Sequence, residues 1–403
     1  MTNKDLSCAW AWDCLFIGTR NNVAQCCAQG YGWDAPNWLE ISNLNEWYST
    51  FEPFEKVRKE HRDGIQNDIC KRCWKYENAN AESPRTLRNK SVANRYPGNY
   101  PMFEHKVVKN IEVRFSNKCN LRCRMCDPNS SSVIQNLSQE FKDKGWRNKT
   151  AEHHTNVCDF KNSEKLFNLI LECNTIQYIE LAGGEPFLMP EVEWLLDNLI
   201  KRRRTNLNIK FITNMTSLKS KVLEQLKQFR KVNLDISMDG IGNDLEYQRY
   251  PLKWNHLERN LMRLKKEANG TNIEIGFVPC ISQLNILGFA DTINYIGEHF
   301  PNARIGFNIV ATPSHMDYRL VPLQYRKYLF RKAKSVNLDW MMGSQRKVYK
   351  NFFKKMIKEE RQITENERQA LRDAVVFWDY KSDLKYRDQY PWASELLDRN
   401  DLS

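Results

Sequence analysis

The short run Cys119-Asn120-Leu121-Arg122-Cys123-Arg124-Met125-Cys126 sets three cysteines in the spacing CxxxCxxC, directly after an apolar stretch that includes Ile111, Val113 and Phe115. Three thiolates on one tight loop can hold three irons of a cubane [4Fe–4S] cluster, whereas the common four-cysteine set closes every iron. The fourth iron then stays open to a substrate or cofactor, beside a centre that can deliver an electron. Three other readings compete. A structural zinc site prefers four ligands from paired knuckles. A disulfide framework suits small secreted domains, and this chain has 403 residues. Three structural cysteines this close together would be a coincidence.

The elements that must position this loop follow from the hydrophobic pattern. Short runs rich in Ile, Val or Phe predict strands over 107–115, 176–182, 209–214, 232–237, 273–278 and 305–311. Amphipathic stretches predict helices between them, over 163–172, 192–203, 218–229, 254–267 and 289–299. Six strands alternating with helices imply an α/β fold of parallel βαβ units. Right-handed crossovers curl such a sheet into a barrel or partial barrel, with ligands at the C-terminal strand ends. The cysteine loop follows the first of these strands, so it lies at that end.

The second strand runs into Ala182-Gly183-Gly184-Glu185-Pro186. The glycines let backbone approach a ligand, and the glutamate can accept from an ammonium group. Here the chain resembles the radical SAM superfamily, whose fold is a partial (β/α)6 barrel. The resemblance implies that Cys119, Cys123 and Cys126 hold the cluster. It implies that S-adenosylmethionine (SAM) chelates the open iron, with Gly183, Gly184 and Glu185 receiving its amino group and Met125 near the adenine. Thr213-Asn214-Met215-Thr216 resembles the TNG-type turn after the third strand, with Met215 at the usual glycine and Asn214 a SAM or substrate contact. In Ile236-Ser237-Met238-Asp239-Gly240, Ser237 and Asp239 match residues that reach the ribose. Arg249 matches the arginine that pairs with the SAM carboxylate, and Asn285 a polar residue near the adenosine. Asp239-Gly240 is also an ordinary turn signature, and Arg249 an ordinary surface arginine.

Six of the twelve cysteines precede residue 100: Cys8, Cys14, Cys26, Cys27, Cys70 and Cys73. Cys70-Lys71-Arg72-Cys73 is a knuckle that suits zinc or a cluster. The run Asn21-Asn22-Val23-Ala24-Gln25-Cys26 resembles the turn of the auxiliary-cluster domains called SPASM and twitch, with Asn21 at the usual glycine. That resemblance implies Cys8, Cys26, Cys70 and Cys73 as ligands of a second cluster, with Cys14 and Cys27 as substitutes. The family usually carries this domain after the barrel; its place before it, and the run Glu77–Arg85, resemble a subgroup with an N-terminal twitch-like segment. Of the isolated cysteines, Cys173 reads as core, while Cys280 ends the fifth strand facing the expected pocket.

The expected organisation is a cysteine-rich segment over 1–105, a barrel over 106–315 and a basic helical extension over 316–403. Within the extension, residues 322–361 carry twelve Lys/Arg against Asp339, Glu359 and Glu360, which account for most of the net charge of +12. Such a lobe attracts an acidic peptide, a phosphorylated small molecule or nucleic acid, unless it is simply a solvated helix face. Thr364-Glu365-Asn366-Glu367 predicts a capping box opening a helix. No apolar h-region or membrane-length run appears, so a cytoplasmic protein with no membrane partner is expected. The family resemblance implies an external one-electron reductant of flavodoxin or ferredoxin type. It implies hydrogen abstraction from a peptide or protein side chain; a nucleotide, nucleic acid or sugar derivative is the alternative. A non-enzymatic, metal-stabilised nucleic-acid-binding protein leaves the ordered motifs unexplained.

Overall fold

The computed structural model describes residues 6–29, 32–78, 82–95, 105–146, 163–310, 312–358 and 361–398. Cys158 and Ala311 lie outside them. The chain divides into two compact units. The first comprises Met1–Asn117, Asn156–Phe211 and Gln228–Val232; the second comprises Lys118–Thr155, Ile212–Lys227 and Asn233–Ser403.

In the first unit lie β1 (Cys14–Ile17), β2 (Asn22–Ala24), β3 (Trp33–Asp34), β4 (Asn110–Arg114), β5 (Tyr178–Ala182) and most of β6 (Asn208–Thr213). Their order is β3-β2-β1-β4-β5-β6. From β1 to β6 all pairs are parallel, and the register aligns Leu15, Ile111, Ile179 and Ile209 in one row. All four are fully buried. A fully buried aliphatic side chain contributes about 1.5–3 kcal/mol, so rows like this fix the register. The alternate row runs Phe16, Glu112, Glu180, Lys210, with Lys210 Nζ 3.3 Å from Glu180. Helix Pro190–Lys201 buries Val192, Leu195, Leu196 and Leu199, the i, i+3, i+4, i+7 stripe of a helix packed on a sheet.

Strand β1 was not foreseen. The cysteine-rich segment shows no βα alternation in sequence, yet β1 extends the parallel sheet beside β4. Its four residues, Cys-Leu-Phe-Ile, are buried on both faces and so show no period-2 pattern.

The second unit holds most of β7 (Lys231–Ile236), with β8 (Ile273–Phe277) and β10 (Arg304–Ile305), in the order β7-β8-β10. A separate parallel pair joins β9 (Cys280–Ile281) to β11 (Asn308–Ile309). The single strand expected over 305–311 is therefore split. The cause is Pro279, which has no N–H and interrupts the partner between β8 and β9. Helix Trp254–Ala268 buries Leu257, Leu261, Leu264 and Ala268. C-terminal helices Leu323–Lys334, Gly343–Met356 and Glu365–Asp379 follow, the last opened by the expected capping box of Thr364 and Glu367. Among the described residues no helix is long and apolar enough to cross a membrane.

Two positions where the motifs usually carry glycine have left-handed backbone here: Asn21 at φ +53° and Met215 at φ +54°. Asparagine tolerates that region better than other side chains, and the Asn21 Oδ1 also accepts from Trp38 Nε1 at 3.1 Å. Asn21→Gly is expected to change stability by under about 1 kcal/mol. Asn21→Val, β-branched in the same conformation, is expected to cost about 2 kcal/mol or more in urea unfolding.

Candidate active site

The cysteine loop has no regular secondary structure, so its backbone must find partners elsewhere. Ser131 caps helix Ser132–Asp143, accepting from Ile134 N–H, and its hydroxyl donates to the Leu121 carbonyl at 2.6 Å. Cys119 N–H donates to Ser132 Oγ at 3.2 Å. Arg122 and Arg124 N–H groups donate to the Tyr250 and Gln248 carbonyls, both at 2.8 Å.

The arginine side chains bind harder. Arg122 donates to the Tyr380 and Lys381 carbonyls, each at 2.7 Å. Arg124 donates to the Trp378 carbonyl at 2.6 Å and to Ser382 Oγ at 3.3 Å. Their guanidinium groups lie over the Tyr250 and Tyr247 rings at 4.5 and 4.6 Å. Sequence reasoning missed this role. The available signal was two arginines alternating with the cysteines, in a run where the thiols already had a task.

Around the loop, the second unit gathers several predicted residues. Asn214 Nδ2 lies 3.9 Å from Cys119 Sγ and donates to Asn120 Oδ1 at 3.2 Å. Arg249 Nη1 lies 3.8 Å from Cys123 Sγ. Arg249 Nε lies 2.7 Å from Asp239 Oδ2, a buried ion pair. Burial works against the Arg249 charge, but Asp239, Cys123 and Cys280 together outweigh it and hold the pKa above its ordinary value. Asp239 Oδ1 accepts from Cys280 N–H at 2.7 Å. The Asn285 side chain is committed to this turn: it donates to the Asp239 and Cys280 carbonyls and accepts from Ser282 N–H, all at 2.8 Å. Ser237 is half-buried, its N–H on the Thr213 carbonyl, and Met125 is half-buried.

The three thiols suit a cluster by donor chemistry. Burial pushes Cys123 up to about 12, against the pull of Arg249, and Cys119 adds to the rise. Cys126 is held well above its ordinary value by burial, then by Cys123. The thiols lie near enough to raise one another, and a bound metal takes thiols as thiolates with release of protons. Among the described residues no group of three His, Cys, Asp or Glu side chains could hold a single metal ion. A polynuclear cluster makes a different demand, since each thiolate serves its own iron and the sulfurs stand apart.

The glycine turn belongs to the first unit. Gly183 has φ +119°, and a Cβ there would stand 2.8 Å from the Ser116 carbonyl oxygen. Gly184 N–H donates to the same oxygen at 2.9 Å. Glu185 is fully buried and caps the short turn Pro186–Leu188, accepting from Phe187 N–H at 3.2 Å.

The first unit also collects cysteines far apart in sequence. Cys8, Cys26, Cys70 and Cys73 line one cavity of about 20 Å³, with Gln29 and Arg85 among its walls. That volume is about one water site, so a cluster there requires the thiols to swing outward. Gln29 Nε2 donates to Cys70 Sγ at 3.6 Å. Burial pushes Cys8 up to about 12 and Cys70 to about 11, with neighbouring thiols adding to both. Arg85 is fixed by two bonds to Glu77, whose carboxylate also accepts from Ser83. Cys14 sits in β1, and Cys27 is exposed beside Glu112; neither lines the cavity.

Residues 113–294 match the Radical SAM superfamily. Over that stretch, somewhat under half of its length, the chain is similar to that superfamily. It is 25% identical over 218 residues to the radical SAM cyclopropyl synthase TigE of Paramaledivibacter caminithermalis, covering 53% of this chain and 44% of TigE. It is 30% identical over 136 residues to the GTP 3′,8-cyclase of Campylobacter fetus, covering 33% of this chain and 35% of the cyclase. The chain thus spans less than half the length of either relative. Streptococcus suis SuiB bound to S-adenosylmethionine is a similar solved structure, with a TM-score of 0.38 at 13% identity over 71% of this chain and 58% of SuiB.

Arg249→Met leaves Asp239 buried without its cation and is expected to cost about 3–5 kcal/mol in urea unfolding. The pair Asp239→Asn with Arg249→Met is expected to recover part of that loss. Gly183→Ala sets a methyl against the Ser116 carbonyl in unfavourable backbone. It is expected to cost about 1–3 kcal/mol, read as a lowered thermal midpoint.

Proposed function

We propose that this protein reductively cleaves SAM and abstracts hydrogen from a peptide or protein side chain. The observation that carries the reading is the arginine-clamped loop of Cys119, Cys123 and Cys126, with the Asp239–Arg249 pair against Cys123. When bound, the cluster and SAM supply one-electron cleavage to methionine and a 5′-deoxyadenosyl radical, which takes a hydrogen atom from the substrate. The three thiolates would hold the cluster, each serving one iron. Gly183, Gly184 and Glu185 receive the SAM amino group, and Arg249 its carboxylate. Ser237 and Asp239 face the ribose, Asn214 contacts SAM or the substrate, and Met125 lies near the adenine. Asn285 is the polar residue near the adenosine, acting by fixing the turn at Asp239. The pocket must exclude water, because so reactive a radical is otherwise quenched.

Cys8, Cys26, Cys70 and Cys73 hold an auxiliary cluster. Their shared cavity supports this, and auxiliary-cluster relatives commonly act on peptides, which favours a peptide substrate. Likeness to a GTP cyclase and the basic 322–361 stretch support the second reading, a nucleotide-type substrate. A flavodoxin- or ferredoxin-type protein supplies the electron.

Anaerobic reconstitution is expected to give about eight irons per chain with both clusters; about four would remove the auxiliary one. Reduced protein with SAM is expected to release 5′-deoxyadenosine, and Cys126→Ala to abolish it. No such product from the reconstituted wild type under strong reductant would sink the radical reading.

A further inference from the structure

We propose that the cleft between helices Leu323–Lys334 and Gly343–Met356 binds an acidic peptide segment carrying a bulky apolar side chain. The cleft has a volume of about 410 Å³, within the range of ligand pockets. Its floor is apolar: Val336, Leu338, Tyr349 and Phe353 are all buried. The Tyr349 hydroxyl is buried without a hydrogen-bond partner among the described residues.

The rim is cationic. Arg346, Lys350 and Lys354 stand at i, i+4 and i+8, so they form one rail along a single helix face. Lys334 faces them from the other helix, its Nζ 4.7 Å over the Phe330 ring. One acid lines the cleft, Asp339, and it stands 3.5 Å from Arg346. Among the described residues no carboxylate pairs with Lys334, Lys350 or Lys354. Like charges at i, i+4 destabilise a helix by a few tenths of a kcal/mol per pair. An anionic ligand relieves that repulsion while its apolar side chain fills the floor.

The two features together select the ligand. Carboxylates answer the rail, and a Phe- or Leu-sized group answers the concave floor. A nucleic-acid strand instead wants an open basic track with exposed ring faces for its bases, and the floor rings here are buried. The inference rests on the peptide substrate proposed above, but its test needs neither SAM nor reductant.

The probe is a fluorescein-labelled peptide, Glu-Glu-Phe-Leu-Glu-Glu, titrated with the full-length protein and read by anisotropy. Saturable binding is expected, falling at least about tenfold in Lys350→Glu/Lys354→Glu and weakening with salt. Replacing the Phe-Leu pair by Ser-Ser is expected to cost about tenfold as well. Circular dichroism of the variant checks that it is folded. Equal affinity for the Phe-Leu and Ser-Ser peptides overturns the proposal, as does binding indifferent to the charge reversal. Binding of a labelled single-stranded oligonucleotide that the variant loses, with no peptide binding, reassigns the cleft to nucleic acid. A failure to make 5′-deoxyadenosine leaves these readings intact, so the two proposals fail separately.

Discussion

Arg122 and Arg124 hold the cysteine loop to the carbonyls of residues 378–382, and the candidate site depends on that clamp. A loop without secondary structure has no ladder to satisfy its backbone, and three thiols on it keep their places only if something fixes its path. Hydrogen bonds from a charged donor contribute about 1.5–3 kcal/mol each, more than neutral ones. Those formed here are short and lie over aromatic rings. The end of helix Glu365–Asp379 and the residues after it therefore fix the path of the loop that carries Cys119.

The same logic recurs one layer out. Asp239 and Arg249 are each costly to bury alone, and together they form a pair whose guanidinium reaches Cys123. Asn285 then spends both its donors and an acceptor on the turn that carries Asp239. Positive charge near the thiols is thereby held in place by a buried carboxylate, whose turn a neutral side chain fixes. In the first unit Glu77 and Ser83 do the same for Arg85 beside the second cysteine set.

Much of the fold was legible because it rests on periodicity. Helices 163–172 and 289–299 stand where the apolar spacing puts them, and strands at 110–114, 178–182, 208–213 and 231–236 fall inside or within two residues of their predicted runs. The glycine-type positions of two motifs were legible as well, since Asn21 and Met215 keep the left-handed backbone without the glycine. Strand β1 was not, because a short strand buried on both faces has no alternation to read. Nor was the break at Pro279, whose effect is felt on the partner strand rather than on its own.

By itself the sequence determined the donor set and its spacing: three cysteines on one loop, two glycines before a glutamate, and a capping box with a basic stretch before it. Those are properties of neighbouring residues, and local sterics and valence suffice to read them. Only the tertiary structure decided which distant groups meet. It joins Cys8 and Cys26 to Cys70 and Cys73 while leaving Cys14 and Cys27 out, and it pairs Asp239 with Arg249. It also turns one face of a basic helix into the rim of a cleft. Each of these depends on which elements pack together, and packing is set by the sum of many buried contacts that no local pattern contains.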